Sequence, residues 1–254
     1  MQQTNKHISK QMTDACKLFA EDHALDEFDQ KMDLLNKETD LNKQLQLVKG
    51  MQAIANNVSA LKGWPYAAKV FWDNEARFWQ QRVDQKYREF ILKDITEMID
   101  ADYPSSILEL GTGNLPYLKD AISLDISHDM LATIRQGNTD DQTIIKRMQA
   151  NVEHSLPIRE NSVDAIAAVF LCNYIERLDV MLAECRRVLK KDGKLIIVQS
   201  AAEIDNYHSL LEKHPAKELT LILRTLLNEL GFNVKIDVKD VDKKTIVFIN
   251  AVKN

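Results

Sequence analysis

Apolar residues recur at helical spacing through the first hundred positions and as short runs after them. Ile8, Met12, Cys16 and Phe19 form one stripe, Leu41, Leu45 and Val48 a second, and Met51, Ile54, Ala55, Val58 and Leu61 a third. Steps of three and four residues put each set on one helix face. The intervening positions are rich in Lys, Asp, Gln and Asn. Two or three amphipathic helices are expected, acting as a cap packed on a core, a lid over an active site, or a dimer arm. Gly63-Trp64-Pro65 interrupts the pattern. It resumes from Asp84 to Met98, with Tyr87, Phe90, Ile91, Ile95 and Met98 on one face. Asp102-Tyr103-Pro104 ends it, because the residue before a proline is driven out of helical geometry.

From Ile107 onward the period changes. Short apolar runs, ILEL (107–110), AISLDI (121–126), TIIKRMQA (143–150), DAIAAVFL (164–171) and KLIIVQS (194–200), alternate with helical stretches. Helices are expected over His128 to Gln136 and Leu178 to Leu189. The second would be closed by Lys190, Lys191 and the Asp192-Gly193 cap. Another runs from about Ala216 to Leu230 and stops at Gly231. Two last strands, 233–238 and 245–252, are joined by a short polar connection that suits an antiparallel hairpin. Alternating β and α units imply an α/β fold: a mostly parallel seven-stranded sheet with helices on its faces and an antiparallel C-terminal hairpin. The expected division is a helical cap over residues 1–100 and a cofactor-binding core over 101–254.

The chemistry concentrates in ILELGTGNLPYLKDAISLDIS (107–127). Gly111 and Gly113 follow the first strand, and glycine lets a backbone approach a ligand closely. Asp125 ends the second strand, where a carboxylate can accept both hydroxyls of a ribose. The phosphate-cradling GxxxxGK[ST] is absent. A dinucleotide fingerprint needs GxGxxG opening a long helix, but Pro116 stands at the third position and only a turn of helix fits before Ala121. A nucleoside cofactor without a pyrophosphate is left.

ILELGTGN, AISLDISHDML, ANVEHSLPIRENSVDAIAAV and LCNYIERLDVMLAECRRVLKKDGKLIIV, in that order and spacing, resemble the class I S-adenosylmethionine-dependent methyltransferases. The resemblance covers Ile107 to Val198, and the tail fits that family's last helix and strand pair. It implies a Rossmann-like core. It also implies that Gly111 and Gly113 approach the methionine moiety and that Glu109 braces the loop and helps bind the amino group. Asp125 would take the ribose hydroxyls and Ile126 would pack on adenine. Asn151 would accept from the adenine amino group, Val152 would offer its N–H to an adenine nitrogen, and Leu171 would border the sulfonium. Two positions depart from the pattern: Leu115 replaces a third glycine, and the first core helix is nearly missing. FWDNEARFW (71–79) is loosely like the lids of such enzymes.

Trp64, Tyr66, Phe71, Trp72, Phe78, Trp79, Tyr87 and Phe90 include every tryptophan of the chain. Such a cluster either walls a pocket for a planar or apolar substrate or belongs to helices docked on the sheet. Asn173, Tyr174, Tyr117, His128 and His154 are polar groups near the strand ends, and none of them is singled out as a catalytic residue. The net charge of −5 argues against nucleic acid. Cys16, Cys172 and Cys185 lie far apart, without metal or redox spacing. MQQTNKHISK has no secretory h-region, and no apolar run reaches the length of a membrane span. The expectation is a cytoplasmic methyltransferase with S-adenosyl-L-methionine as cofactor. It would act on a small molecule and engage neither nucleic acid nor membrane, and its N-terminal helices would be able to form a homodimer. The alternative is a binding or scaffold protein that keeps the fold without turnover.

Overall fold

The computed structural model describes residues 2–99, 106–118, 120–134, 146–241 and 244–254, with side chains described from residue 20 onward. The chain divides into two compact units, residues 1–71 with 205–210 and residues 72–204 with 211–254.

In the first unit, α1 (Gln2–Lys37) and α2 (Leu41–Ala55) pack against each other. Asp40 caps α2, its carboxylate accepting the Lys43 N–H at 2.9 Å. α1 buries Phe28, Met32 and Leu35. α2 buries Gln44, Val48, Met51 and Ala55. The second predicted stripe and the start of the third therefore share one helix that runs through Gly50. Its buried edge passes through Gln44 rather than Leu41 and Leu45, and Leu41 is exposed. Burying an amide is tolerated because both of its ends are bonded. Gln44 donates to the Glu38 carbonyl at 2.7 Å and accepts the Tyr207 N–H at 3.1 Å. Phe28 meets Trp64 edge to face at 5.0 Å. The stripe of Ile8, Met12, Cys16 and Phe19 lies on α1, with its side chains outside the described residues.

In the second unit, β1 (Ile107–Leu110), β2 (Ile122–Asp125), β3 (Lys146–Gln149), β4 (Val163–Val169), β5 (Leu189–Ser200), β6 (Phe232–Val241) and β7 (Lys244–Lys253) form one sheet. Their order is β3-β2-β1-β4-β5-β7-β6, and β7 alone runs against the direction of the other six strands. This is the expected Rossmann-like sheet with its antiparallel C-terminal hairpin.

The two-residue period of each strand sorts side chains to two faces. Leu108, Leu110, Leu124, Ile166 and Ala168 join Met181, Leu182 and Cys185 of α7 (Leu178–Val188) and Leu219, Leu223 and Leu227 of α8 (Ala216–Glu229) in one core cluster. Ile107, Ala165, Ala167 and Ile196 join Ile91, Ile95 and Ile99 of a third helix, Gln85–Ile99, in the other. Three shorter helices are α3 (Ala68–Glu75), α4 (Trp79–Arg82) and α6 (His128–Ala132), so the 85–99 helix is α5. Lys194 of β5 donates to the last carbonyls of α5, Met98 at 3.0 Å and Ile99 at 3.3 Å.

Two boundaries differ from the sequence expectation. α7 ends at Val188, and β5 already begins at Leu189, which pairs with Val163. Gly193 is not a helix cap. A Cβ there would come within 2.9 Å of the Lys190 carbonyl oxygen and 3.1 Å of the Asp164 carbonyl oxygen, so close backbone approach is what calls for glycine. Gly231 does follow its helix with a φ of +76°. Of the predicted third run, 143–145 lie outside the described residues, as do 135–136 of the helix after β2.

Candidate functional site

The sheet changes direction between β1 and β4, and a parallel sheet binds ligands beyond its strand ends at such a switch. β1 ends at Leu110, and the chain returns to β2 through a turn with no α-helix among its described residues. Gly111 and Gly113 both take left-handed φ values, +60° and +57°. The turn is held by carboxylates from the strands on either side of it.

Glu109 lies in β1 beside Ser123 of β2 and Ala167 of β4, 1% exposed. It accepts the Tyr117 N–H at 2.8 Å and the Leu118 N–H at 2.9 Å. Burial pushes its carboxyl up to about 7, against the lowering effect of those two amides and of the Arg88 guanidinium. Arg88 comes from α5, stands 4.2 Å over the Tyr117 ring and donates to the Leu115 carbonyl at 2.9 Å and to the Pro116 carbonyl.

Asp125 ends β2, 6% exposed. It accepts the Gly113 N–H and the Ser127 N–H, both at 2.9 Å. Burial raises its pKa, the amides of Ser127, Gly113 and Ile126 oppose the rise, and the nearby Asp73 carboxylate adds to it. Ser127 caps α6 and donates from Oγ to Asp73 at 2.7 Å.

The other residues named from sequence sit around the same rim. Ile126 is partly exposed after Asp125, and its carbonyl accepts from Gln149 at 3.1 Å. Asn151 follows β3 and turns its side-chain carbonyl to the Glu153 N–H at 2.9 Å, leaving one lone pair for a further donor. Val152 is buried in the core. Leu171 follows Phe170, whose φ of +52° is strained for a bulky residue. A Cβ on Gly111 would meet the Leu171 Cδ1 at 2.6 Å. The turn thus brings Glu109, Gly111, Gly113, Asp125 and Leu171 together, with Ile126, Asn151 and Val152 at the ends of β2 and β3.

Of the polar candidates, His128 and His154 are exposed. Asn173 is buried and donates to Glu212 at 3.4 Å. Burial pushes the Tyr117 phenol up to about 12 and raises that of Tyr174, which the Glu212 and Glu75 carboxylates raise further. Neither phenol is set to lose a proton near neutral pH. Cys172 and Cys185 are buried thiols, and burial pushes Cys172 up to about 12. No group of side chains among the described residues could hold a metal ion. No helix among them is long and apolar enough to cross a membrane.

The aromatic segment supplies what sequence spacing could not locate. Trp79 lies on Gly113, where a Cβ would meet the indole Nε1 at 2.9 Å. Trp72 packs edge to face on Trp79 at 5.6 Å and on Tyr174 at 5.2 Å. Asn114, 2% exposed, donates to the Ala76 carbonyl at 2.7 Å, and Gln80 donates to the Asn114 carbonyl at 3.3 Å. The Asn114 side-chain oxygen is buried without a hydrogen bond. Arg88 is a part of this site that the sequence does not single out, whereas Asp73, Asn114 and Trp79 lie in named strings without a role assigned to each. The only sequence hints were the FWDNEARFW string and the Asn of GTGN.

The donor set suits a nucleoside. Asp125 keeps lone pairs beyond its two amides, and the two glycines carry no Cβ, although Leu171 and the Trp79 indole lie against them here. The Trp79 indole and a ligand cannot both rest on Gly113.

Residues 108–197 match the family model described as a methyltransferase domain. A demethylmenaquinone methyltransferase from Thermotoga maritima is 33% identical over 128 residues, 46% of this chain and 51% of that protein. The chain spans about half the length of that curated relative. Among solved structures, a SAM-dependent methyltransferase from Archaeoglobus fulgidus superposes with a TM-score of 0.55 at 16% identity, over 70% of this chain and 97% of that one. A SAM-dependent methyltransferase from Aquifex aeolicus superposes at 0.54 with 20% identity, over 70% and 98%. At these identities the superpositions speak for the fold.

Proposed function

We propose, on the match of residues 108–197 to a methyltransferase domain, an enzyme that transfers the methyl group of S-adenosyl-L-methionine to a small-molecule acceptor. The observation that supports this reading is the meeting of two left-handed glycines and the Asp125 carboxylate at the switch point of the sheet. Asp125 would accept the ribose hydroxyls, with Gly111 and Gly113 beneath the methionine moiety. Glu109 holds the turn's far side through Tyr117 and Leu118. Ile126, Asn151 and Val152 would border adenine, and Leu171 the sulfonium. The bound cofactor supplies an electrophilic methyl with a good leaving group. The chain's contribution would be alignment and exclusion of water. With both phenols shifted up, the reading assigns no general base.

A small acceptor is supported by the relatives. One is a demethylmenaquinone methyltransferase, and another, from Cereibacter sphaeroides and 24% identical, is a phosphatidylethanolamine N-methyltransferase. The second reading, a binding protein without turnover, is favoured by the indole on Gly113.

Calorimetric titration with S-adenosylmethionine and S-adenosylhomocysteine separates the two readings. Binding is expected, and Asp125→Ala should weaken it by about 10-fold or more, as loss of a charge-assisted hydrogen bond predicts. If neither the wild-type chain nor Trp79→Ala gives heat at about millimolar ligand, the enzyme reading is wrong. If Asp125→Ala costs less than about 3-fold, the ribose role is wrong.

A further inference from the structure

β6 stands at the end of the sheet, so only one of its edges is paired. In an antiparallel ladder alternate residues turn their N–H and C=O groups away from the partner strand. Along the ten residues of β6 those outward groups meet no backbone partner among the described residues. An open edge of this length is a template for another strand, and natural sheets commonly shorten, bulge or cover it. β6 is neither short nor bulged, because its register with β7 is unbroken from Phe232 to Val241.

The two faces of β6 are unlike. Val234 and Ile236 pack against the core cluster of α7 and α8, whereas Val238, on the same face, is 60% exposed. Asn233, Lys235, Asp237 and Lys239 alternate with them on the other face. Lys235 and Asp237 form an exposed ion pair at 3.3 Å, and Lys239 is held by Asp94 at 2.6 Å.

We propose that β6 is a dimer edge: two copies of this chain join antiparallel, β6 to β6, with Ile236 on the two-fold axis. In such an interface each contact occurs twice, so the strand must be complementary to itself. With Ile236 on the axis it is. Val234 stands opposite Val238 of the partner subunit, which covers the exposed valine. Lys235 stands opposite Asp237 of the partner subunit, so the two ion pairs join into a ring of alternating charge. Neighbouring registers lose this match. An axis on Lys235 sets lysine against lysine, and one on Asp237 sets aspartate against aspartate. An axis between two residues sets the charged face against the apolar one. The same charges discourage strands of unlike pattern from joining the edge. No residue of the glycine turn takes part, so the dimer is independent of the methyltransferase reading.

Sedimentation equilibrium of the chain from about 1 to 200 µM should show monomer and dimer with a dissociation constant of about 1–100 µM, as suits an interface of limited area. Lys235→Asp and Asp237→Lys each set like charges opposite one another and should each weaken the dimer by at least about 5-fold. An equimolar mixture of the two variants restores opposite charges at these positions and should associate within about 5-fold of wild type. Both side chains are exposed, so thermal unfolding of each variant should match the wild type. Val238→Lys, which leaves the ion pair alone, should weaken the dimer as well, and it carries the test if a charge variant does not fold.

A chain that stays monomeric at about 200 µM overturns the proposal. So does a dimer that the folded variants weaken by less than about 5-fold, because it then uses another surface. Loss in both charge variants without recovery on mixing overturns it too, because the charges then do not face each other as described.

Discussion

The two buried carboxylates of the glycine turn are built alike and finished differently. Glu109 and Asp125 each end or nearly end a strand, each is almost fully buried, and each accepts two backbone N–H groups. Beyond the amides, Glu109 has the Arg88 guanidinium, and Asp125 has the Asp73 carboxylate. A cation completes a buried acid, so the β1 side is a closed brace. A second acid leaves its partner in need of donors, so the β2 side is where hydroxyls from outside would be welcome. Burial and hydrogen bonding do not set the two acids apart. The sign of the next neighbour does.

The hardest blow to this contrast is to remove each acid in turn. Glu109→Ala leaves the Tyr117 and Leu118 amides unpaired in the interior and is expected to cost about 2–5 kcal/mol, measured by urea unfolding. Asp125→Ala also frees two amides but relieves the repulsion with Asp73, so its cost should be at least about 1 kcal/mol smaller. Equal losses of stability would mean that both acids are braces.

A smaller effect follows from pH. Burial raises Glu109 to about 7, above its unfolded value of 4.5, so between these values the folded state holds more protons than the unfolded one. Its contribution to stability is therefore fully present below about pH 4.5 and is lost as the pH rises through about 7. Thermal unfolding of wild type and Glu109→Gln across pH 4 to 8 should show this slope in the wild type and its loss in the variant. A slope unchanged by Glu109→Gln would assign it to another group.

The ends of β1, β2 and β4 were legible because ILEL, ISLD and VDAIAAV are too short and apolar to be anything but buried strands between turns. The hairpin was legible from two strand-rich runs and a polar connection. What stayed hidden was settled by distant parts of the chain. Lys190-Lys191-Asp192-Gly193 carries every local sign of a helix stop, yet Leu189 pairs with Val163 and the stretch belongs to β5. The stripe of Leu41, Leu45 and Val48 and the start of the next at Met51 belong to one helix, α2, which runs through Gly50, where one glycine is tolerated. Nothing about the spacing of Trp79 says that its indole will lie on Gly113, and Arg88 is one charged residue among many on an amphipathic helix. Sequence period assigns a residue to a face, whereas the partner across that face depends on tertiary packing.

The smallest test changes only the charge beside Asp125. Asp73→Asn keeps an oxygen that can accept from the Ser127 hydroxyl, so the hydrogen bond of 2.7 Å can persist while the like-charge contact disappears. The Asp125 carboxyl should then titrate at lower pH than in the wild type, as followed by carbon NMR of the carboxylate. Stability at neutral pH should rise by about 0.5 kcal/mol, with the gain shrinking as salt screens the wild-type repulsion. A variant that is instead less stable by about 1 kcal/mol, and equally so at every salt concentration, would show that Asp73 serves Ser127 through the detail of its hydrogen bond. In that case the acid pair would not be the feature that sets the β2 side apart from the Arg88-backed brace at Glu109.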